Sequence, residues 1–330
     1  MTDIEKRITD LFSNQDIATT VISAFATILV IWAGFYFLYK MTLQSRKCAS
    51  LLVDLPDKSN TAGTTAPDLL NTPIHQFYIK TAYNCCSLGD YANDYVGTCI
   101  LSSVIKQGVR CLDFEIFSID DIPVVATSTS NSYNEKETYN SLSFNQVIAL
   151  ISEEAFSGET SPNPADPLFI HLRIKSNNVK MFWALNELLS KLSNIFIGEV
   201  KPSTLLSSLM GKIVVIVNAS NKAYLSAGLA HNMISGVGPF YMYKYEHVQT
   251  LSPAETKEMR KPSSMTMIIP SGGNSPENID LNKIIKLQCN MVAMRYQQND
   301  SQLINYNKLF ETSAFVLKSD VVVENNVSVI

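Results

Sequence analysis

Three ionisable residues sit at spacings that could bring them together. In "GVRCLDFEIF", residues 108–117, Cys111, Asp113, Glu115 and Phe117 alternate with Leu112, Phe114 and Ile116. A strand here points both carboxylates the same way, because successive side chains leave opposite faces. In "PLFIHLRIKS", residues 167–176, Leu168, Ile170, Leu172 and Ile174 share one face, and Phe169, His171, Arg173 and Lys175 the other. A guanidinium set between two carboxylates makes all three burials tolerable. The alternative open to the sequence is that all three side chains fan out into solvent.

The rest of the chain must supply a frame for such a cluster. It has 330 residues, 46% hydrophobic and 17% charged, with a net charge of -4, so a large core is available and general disorder is excluded. No basic stripe marks a nucleic-acid surface. The cysteines, Cys48, Cys85, Cys86, Cys99, Cys111 and Cys289, form no CxxC or zinc spacing. In so large a chain they read as reduced thiols of a cytosol-like compartment.

Residues 17–39, "IATTVISAFATILVIWAGFYFLY", carry no charge, and Trp32, Tyr36 and Tyr39 gather toward one end. At ~1.5 Å per residue a helix here is about 34 Å long, enough to cross a bilayer, and the aromatic end suits the interface. This predicts a single membrane anchor. Lys40, Arg46 and Lys47 follow the span and Lys6 and Arg7 precede it, a small basic excess that places the barrel on the cytoplasmic side. The sequons at Asn218, Asn299 and Asn326 matter only in the opposite orientation. Ile4, Ile8, Leu11 and Phe12 give residues 1–16 an amphipathic face. Residues 40–70 read as a juxtamembrane tether rich in Ser, Thr, Pro and Asn, with Cys48 a potential acylation site.

After residue 70, apolar strands alternate with helical patterns. "IHQFYIKT", "GVRCLDFEIF", "PLFIHLRI", "KIVVIVN", "PFYMYKY", "SMTMIIP", "NMVAMRY" and "SAFVLK" are eight strand candidates. Helices are predicted over 143–156, where Ser143 and Gln146 make a capping box, over 179–192, and from Ser252 with Glu255 three residues on. Eight strands interleaved with helices predict an α/β fold, a TIM-type (β/α)8 barrel, with chemistry at the C-terminal ends of its strands. Two smaller α/β domains are the alternative.

These blocks, in order, resemble the catalytic barrel of phosphoinositide-specific phospholipase C. "PIHQFYIKTAYNCCSLGD", "GVRCLDFEIFSIDDIPVV", "PLFIHLRIKS" and "PSTLLSSLMGKIVVIV" look like its X half. "FYMYKYEHVQTLSPAETKEMR", "SMTMIIPSGG" and "QCNMVAMRYQQNDSQLINYNKLFETSAFVLKSD" look like its Y half. The resemblance divides the chain into an X-like half-barrel at 71–218, a linker at 219–238, a Y-like half-barrel at 239–320 and a tail at 321–330. The family's catalytic positions are occupied by Tyr83 and Thr127 in place of two histidines. Its metal-ligand positions hold Asn84, Asp113, Glu115 and Arg173, and its headgroup positions Ile216, Asn218, Ser252 and Met267. None of His75, His171, His231 or His247 aligns with a catalytic position.

The family's reaction needs a base, an acid and calcium. Tyrosine, with a pKa of about 10, and threonine do not replace two imidazoles. Arg173 at a calcium-ligand position repels a divalent cation and acts as an internal substitute for the metal, paired with Asp113 and Glu115. The expectation is therefore a catalytically inactive, membrane-anchored phospholipase-C-like barrel, with no cofactor and no bound metal, serving an unknown protein partner as an interaction or structural module. Hydrolysis of phosphatidylinositol or another glycerophosphodiester, with calcium, is the alternative. Lipid-headgroup binding without turnover is a third reading. The economy of anchor plus barrel suits a viral envelope or inner-membrane protein, in a virion or host membrane, or a protist membrane protein.

Overall fold

The computed structural model describes residues 15–54, 63–248 and 250–321, with Ile4 and Arg7. Most of the amphipathic 1–16 segment, the middle of the tether and the tail beyond 321 lie outside the described residues. Two units are distinguished, 1–47 and 48–330. In the first, helix α1 (Gln15–Asp54) begins. It is long and apolar enough to cross a membrane, with a mean hydropathy of 2.2 over its most apolar window and nothing buried there. Its side chains from Val21 to Tyr39 have no core to enter, so the apolar surface calls for a lipid or protein environment.

In the second unit, α1 ends. Leu51 packs on the core, and Cys48 is disulfide-bonded to Cys99, with Cα atoms 6.2 Å apart, an ordinary separation for such a bond. The expectation of six reduced thiols is thereby corrected, and the Cys48 sulfur is not free for acylation. Sequence spacing could not reveal the pair, because 51 residues separate the partners.

The strands and helices follow in chain order. They are β1 (Phe77–Ala82), α2 (Thr98–Lys106), β2 (Cys111–Ile119), β3 (Ile122–Ala126), β4 (Leu142–Ser143), α3 (Phe144–Glu154), β5 (Leu168–Ile174), α4 (Val179–Ser190), β6 (Ile213–Asn218), α5 (Lys222–Ser226) and β7 (Met233–Ser235). Then come β8 (Phe240–Lys244), α6 (Tyr245–Val248), α7 (Pro253–Met259), β9 (Met265–Ile269), α8 (Leu281–Ile285), β10 (Met291–Met294), α9 (Ser301–Leu309) and β11 (Phe315–Leu317). Eight strands run parallel in the order β7-β6-β5-β2-β1-β10-β9-β8, a nearly closed barrel with the expected helices between strands. The seam lies between β7 and β8, which share no strand ladder; the Val237–Phe240 bridge turns the chain there. At Gly238 the Tyr241 hydroxyl lies close to the turn, 2.6 Å from where a Cβ would stand, so a larger residue there would displace that ring.

One strand assignment differs. "SAFVLK" forms β11, antiparallel to β1 and outside the barrel ring. The eighth barrel strand is β7, inside the 219–238 segment read as a linker. Three residues are too few for a period-two pattern. Asn232 replaces part of its ladder, accepting from the Val215 N–H at 2.7 Å and donating to the Phe196 and Gly198 carbonyls at 2.9 and 2.7 Å.

Period two sorts the core. Phe77, Ile79, Cys111, Phe169, Val214, Ile216, Met265, Met267 and Met291 fill the barrel interior, while Leu112, Phe114, Ile116, Ile170, Leu172 and Val215 meet the helices. Ser143–Gln146 and Ser252–Glu255 form the expected capping boxes of α3 and α7. Lys80 is the oddity on the outer face of β1. It is 1% exposed and donates to the Gln107 carbonyl at the end of α2 at 2.7 Å. Burial pushes its ammonium down to about 7.

A lowered lysine pKa means that the unfolded chain binds this proton more tightly. Stability therefore rises as pH climbs from about 7 toward the ordinary 10.5. Measured by denaturation of both proteins at each pH, the stability of the wild type relative to Lys80→Met is expected to rise by ~2–4 kcal/mol across that window.

Candidate functional site at the barrel mouth

β2 and β5 pair in parallel with Glu115 opposite Arg173 and Asp113 opposite His171. All four side chains point into the barrel, at the C-terminal ends of its strands. The turn after β1 adds Asn84, which holds the left-handed conformation at φ 45°; asparagine tolerates that region better than most residues. The turn aims both the backbone and the side chain of Asn84 inward.

The guanidinium of Arg173 is enclosed by these groups. Its Nε donates to Asp113 Oδ2 at 3.0 Å, Nη2 to Asp113 Oδ1 and to Asn84 Oδ1 at 2.7 Å each, and Nη1 to Glu115 Oε1 at 2.5 Å. The Tyr83 ring covers its face, 4.3 Å from Cζ to the centroid, a cation–π contact. Asp113 Oδ1 also accepts from the Asn84 N–H at 3.1 Å, and Glu115 Oε2 from the Ser128 N–H at 2.9 Å. Asp113 is fully buried, Glu115 2% exposed and Arg173 7% exposed, so the cluster is an interior ion network rather than a solvated rim. Burial opposes ionisation of Asp113, but the Arg173 charge and the His171 hydrogen bond outweigh it and hold the carboxyl well below its usual range. At Glu115 burial wins over Arg173 and Lys175, and the carboxyl is pushed up.

Below this cluster runs a second layer. His171 Nδ1 lies 2.7 Å from Asp113 Oδ2, and Nε2 lies 2.7 Å from Ser235 Oγ; Asn218 Nδ2 donates to the same hydroxyl at 3.3 Å. The tautomer protonated at Nδ1 satisfies every contact. The spacing matches a Ser-His-Asp relay, yet Ser235 and His171 are both 0% exposed, and Asp113 is already neutralised by Arg173. The hydroxyl is thus closed off from solvent, and the column joins β7, β5 and β2.

Above Arg173 the barrel opens into a cavity of about 300 Å³, lined among others by Tyr83, Glu115, Ser128, Lys175, Asn218 and Lys244. Lys175 donates to the Ser130 carbonyl at 3.3 Å. Burial pushes its ammonium down against the pull of Glu115, and the like charges of Arg173 and Lys244 add to the effect. Lys244 has Glu246 at 3.9 Å.

The residues singled out from the sequence divide into two groups. Tyr83, Asn84, Asp113, Glu115 and Arg173 meet, and Asn218 borders the same cavity. Thr127 is 1% exposed, with its hydroxyl donating to the Tyr91 carbonyl at 2.8 Å. Ile216 and Met267 are interior apolar packing, and Ser252 is spent as the cap of α7. Sequence reasoning did not assign Ser235, Lys175 or Lys244. Lys175 was visible two residues beyond Arg173 on the same face. Ser235 was hidden by the shortness of β7.

A calcium ion does not fit these residues. The oxygens that would ligate it, from Asn84, Asp113 and Glu115, already accept from the guanidinium. Among the described residues no group of three or more His, Cys, Asp or Glu side chains is placed to hold a metal.

The fold is a parallel α/β barrel of the phospholipase C catalytic type. The structure matches PLC21 of L. pealei at a TM-score of 0.60 and 15% identity over 75% of this chain, and PLC21 of S. officinalis at 0.60 and 14% over 80%. It spans 37% and 38% of those two chains, respectively. A calcium-dependent phosphoinositol-specific phospholipase C from a Pseudomonas species matches at 0.46 and 13%, over 70% of this chain and 93% of that one. No protein-family model matches the sequence, and no curated protein matches it.

Removing Arg173 leaves two buried carboxylates without a partner. Arg173→Met is expected to cost ~3–5 kcal/mol in urea denaturation, and neutralising both acids alongside it, with Asp113→Asn and Glu115→Gln, to recover part of that loss. Asp113, held below its ordinary 3.8, contributes stability above that value that is lost only as pH falls through its depressed folded pKa. Acid unfolding of Arg173→Met should therefore begin at higher pH than in the wild type.

Proposed function

We propose that this chain is a membrane-attached barrel of phospholipase C fold that does not hydrolyse phosphodiesters and acts as an interaction or structural module for a protein partner. The observation that carries this reading is the set of four hydrogen bonds from Arg173 to Asp113, Glu115 and Asn84. A fixed cation fills the place where a metal would act. Proton transfer fails as well. Burial pushes the Tyr83 hydroxyl well above its ordinary value, more than Arg173 pulls it down, so it is no base near neutrality. The Thr127 hydroxyl is tied to a backbone carbonyl. Both points weigh against the hydrolase alternative. The apolar helix supports a single-pass membrane location. A viral or protist setting fits the economy of the design.

A second reading, capture of an anionic lipid headgroup without turnover, is favoured by Lys175 and Lys244. They face one cavity from the ends of different strands, and their charges repel each other. A phosphate between them relieves that repulsion.

The full chain in nanodiscs is expected to release no inositol phosphate from phosphatidylinositol, with or without calcium, and to show no saturable calcium binding by calorimetry. Arg173→Glu should acquire a calcium-dependent rise in thermal stability, because a third carboxylate replaces the guanidinium. Turnover or micromolar calcium binding by the wild type would sink the proposal. For the second reading, binding of a soluble inositol phosphate should weaken about tenfold per lysine in Lys175→Ala and Lys244→Ala. Unchanged binding in both variants removes the cavity from consideration.

A further inference from the structure

The six cysteines sort by exposure. Cys85, Cys86, Cys111 and Cys289 are 0–2% exposed, free and buried. Cys48 and Cys99 are the two partly exposed ones, and they are the two that are bonded. Among the described residues no thiol is left both free and accessible. A persistent disulfide such as Cys48–Cys99 belongs to an oxidising compartment and is rare in cytosolic chains.

The sequons make an independent sorting. Asn218 is 5% exposed. Its amide donates to Ser235 and to the Met242 sulfur at 3.5 Å, and its oxygen accepts from the Ser220 N–H at 3.0 Å. No transferase reaches it. Asn299 is exposed, in the connection between β10 and α9. Asp300, next to it, caps α9, and Ser301 begins that helix, so the motif sits on a surface connection, as an acceptor asparagine must. Against these two observations stands the charge rule, which rests on three basic residues after the span and two before it. A difference of one basic residue is a small bias.

We infer that the barrel lies on the oxidising, non-cytosolic side of its membrane, and that Asn299 is an N-glycan acceptor there. Pairing Cys48 with Cys99 sends two electrons and two protons to a thiol oxidase of that compartment. Glycosylation joins Asn299 Nδ2 to the anomeric carbon of a lipid-linked oligosaccharide. That carbon's bond to the lipid diphosphate breaks, the diphosphate leaves, and the amide proton passes to the transferase's base.

Expression of the full chain in a eukaryotic secretory system tests this, with Asn299→Gln, Asn326→Gln and the double variant run beside the wild type. The expected result is an endoglycosidase-sensitive mobility shift that Asn299→Gln reduces by one glycan, with Cys48 and Cys99 alkylated only after reduction. Asn299 is exposed, so its variant should fold. A glycan on Asn326 alone overturns the acceptor assignment. The absence of any glycan, or alkylation of Cys48 and Cys99 in intact membranes without reduction, overturns the placement of the barrel.

Discussion

The carboxylate of Asp113 is the shared point of the barrel mouth. One oxygen accepts from Arg173 and the Asn84 backbone, the other from Arg173 and His171. Two layers of polar side chains, one at the rim and one beneath it, thus meet at a single fully buried group. Such a group is stable only when every neighbour supplies a donor. The left-handed turn at Asn84, the in-register pairing of β2 with β5 and the tautomer of His171 are all consequences of meeting that demand. Arg173 is tolerated in an otherwise apolar strand because its partners are already there.

Occupation of this position by a guanidinium changes the physics of the mouth. A metal ion exchanges with solvent and offers open coordination positions to a substrate. The arginine is covalently part of β5, and its donors are directed at fixed protein oxygens. The charge balance of the site is therefore set at folding rather than by ligand concentration. Lys175 and Lys244 border the cavity above it, and Lys175 feels both the pull of Glu115 and the like charge of Arg173.

Much of this was legible in the sequence. Period-two alternation put Asp113 and Glu115 on one face of β2 and Arg173 on one face of β5, and the order of strands and helices pointed to a barrel; whether the three meet or fan out into solvent is decided by burial, which alternation does not encode. The capping boxes at Ser143 and Ser252 were readable because their hydrogen bonds are local. What stayed hidden was tertiary. β7 has three residues and borrows part of its ladder from the Asn232 side chain, so no pattern announces it, and Ser235 went unseen with it. "SAFVLK" has the composition of a barrel strand, but it pairs antiparallel with β1, a choice that composition does not encode. Ser252 matched a headgroup position as well as a helix cap, and its hydroxyl serves the cap. Cys48 and Cys99 come together only through the packing of the end of α1 on the core.

The missing ladder between β7 and β8 makes the barrel a split ring rather than a hoop. A split ring resists spreading only through what spans its gap or crosses its bore. Ser235 ends β7, one lip of the gap, and the line from it through His171 to Asp113 runs across the interior to β5 and β2 like a spoke. Asn218, beside that spoke on β6, reaches Met242 on the opposite lip. The polar column beneath the mouth thus does mechanical duty: it ties the β7 lip to the wall behind it, while the Asn218–Met242 contact and the Val237–Phe240 bridge reach across to β8.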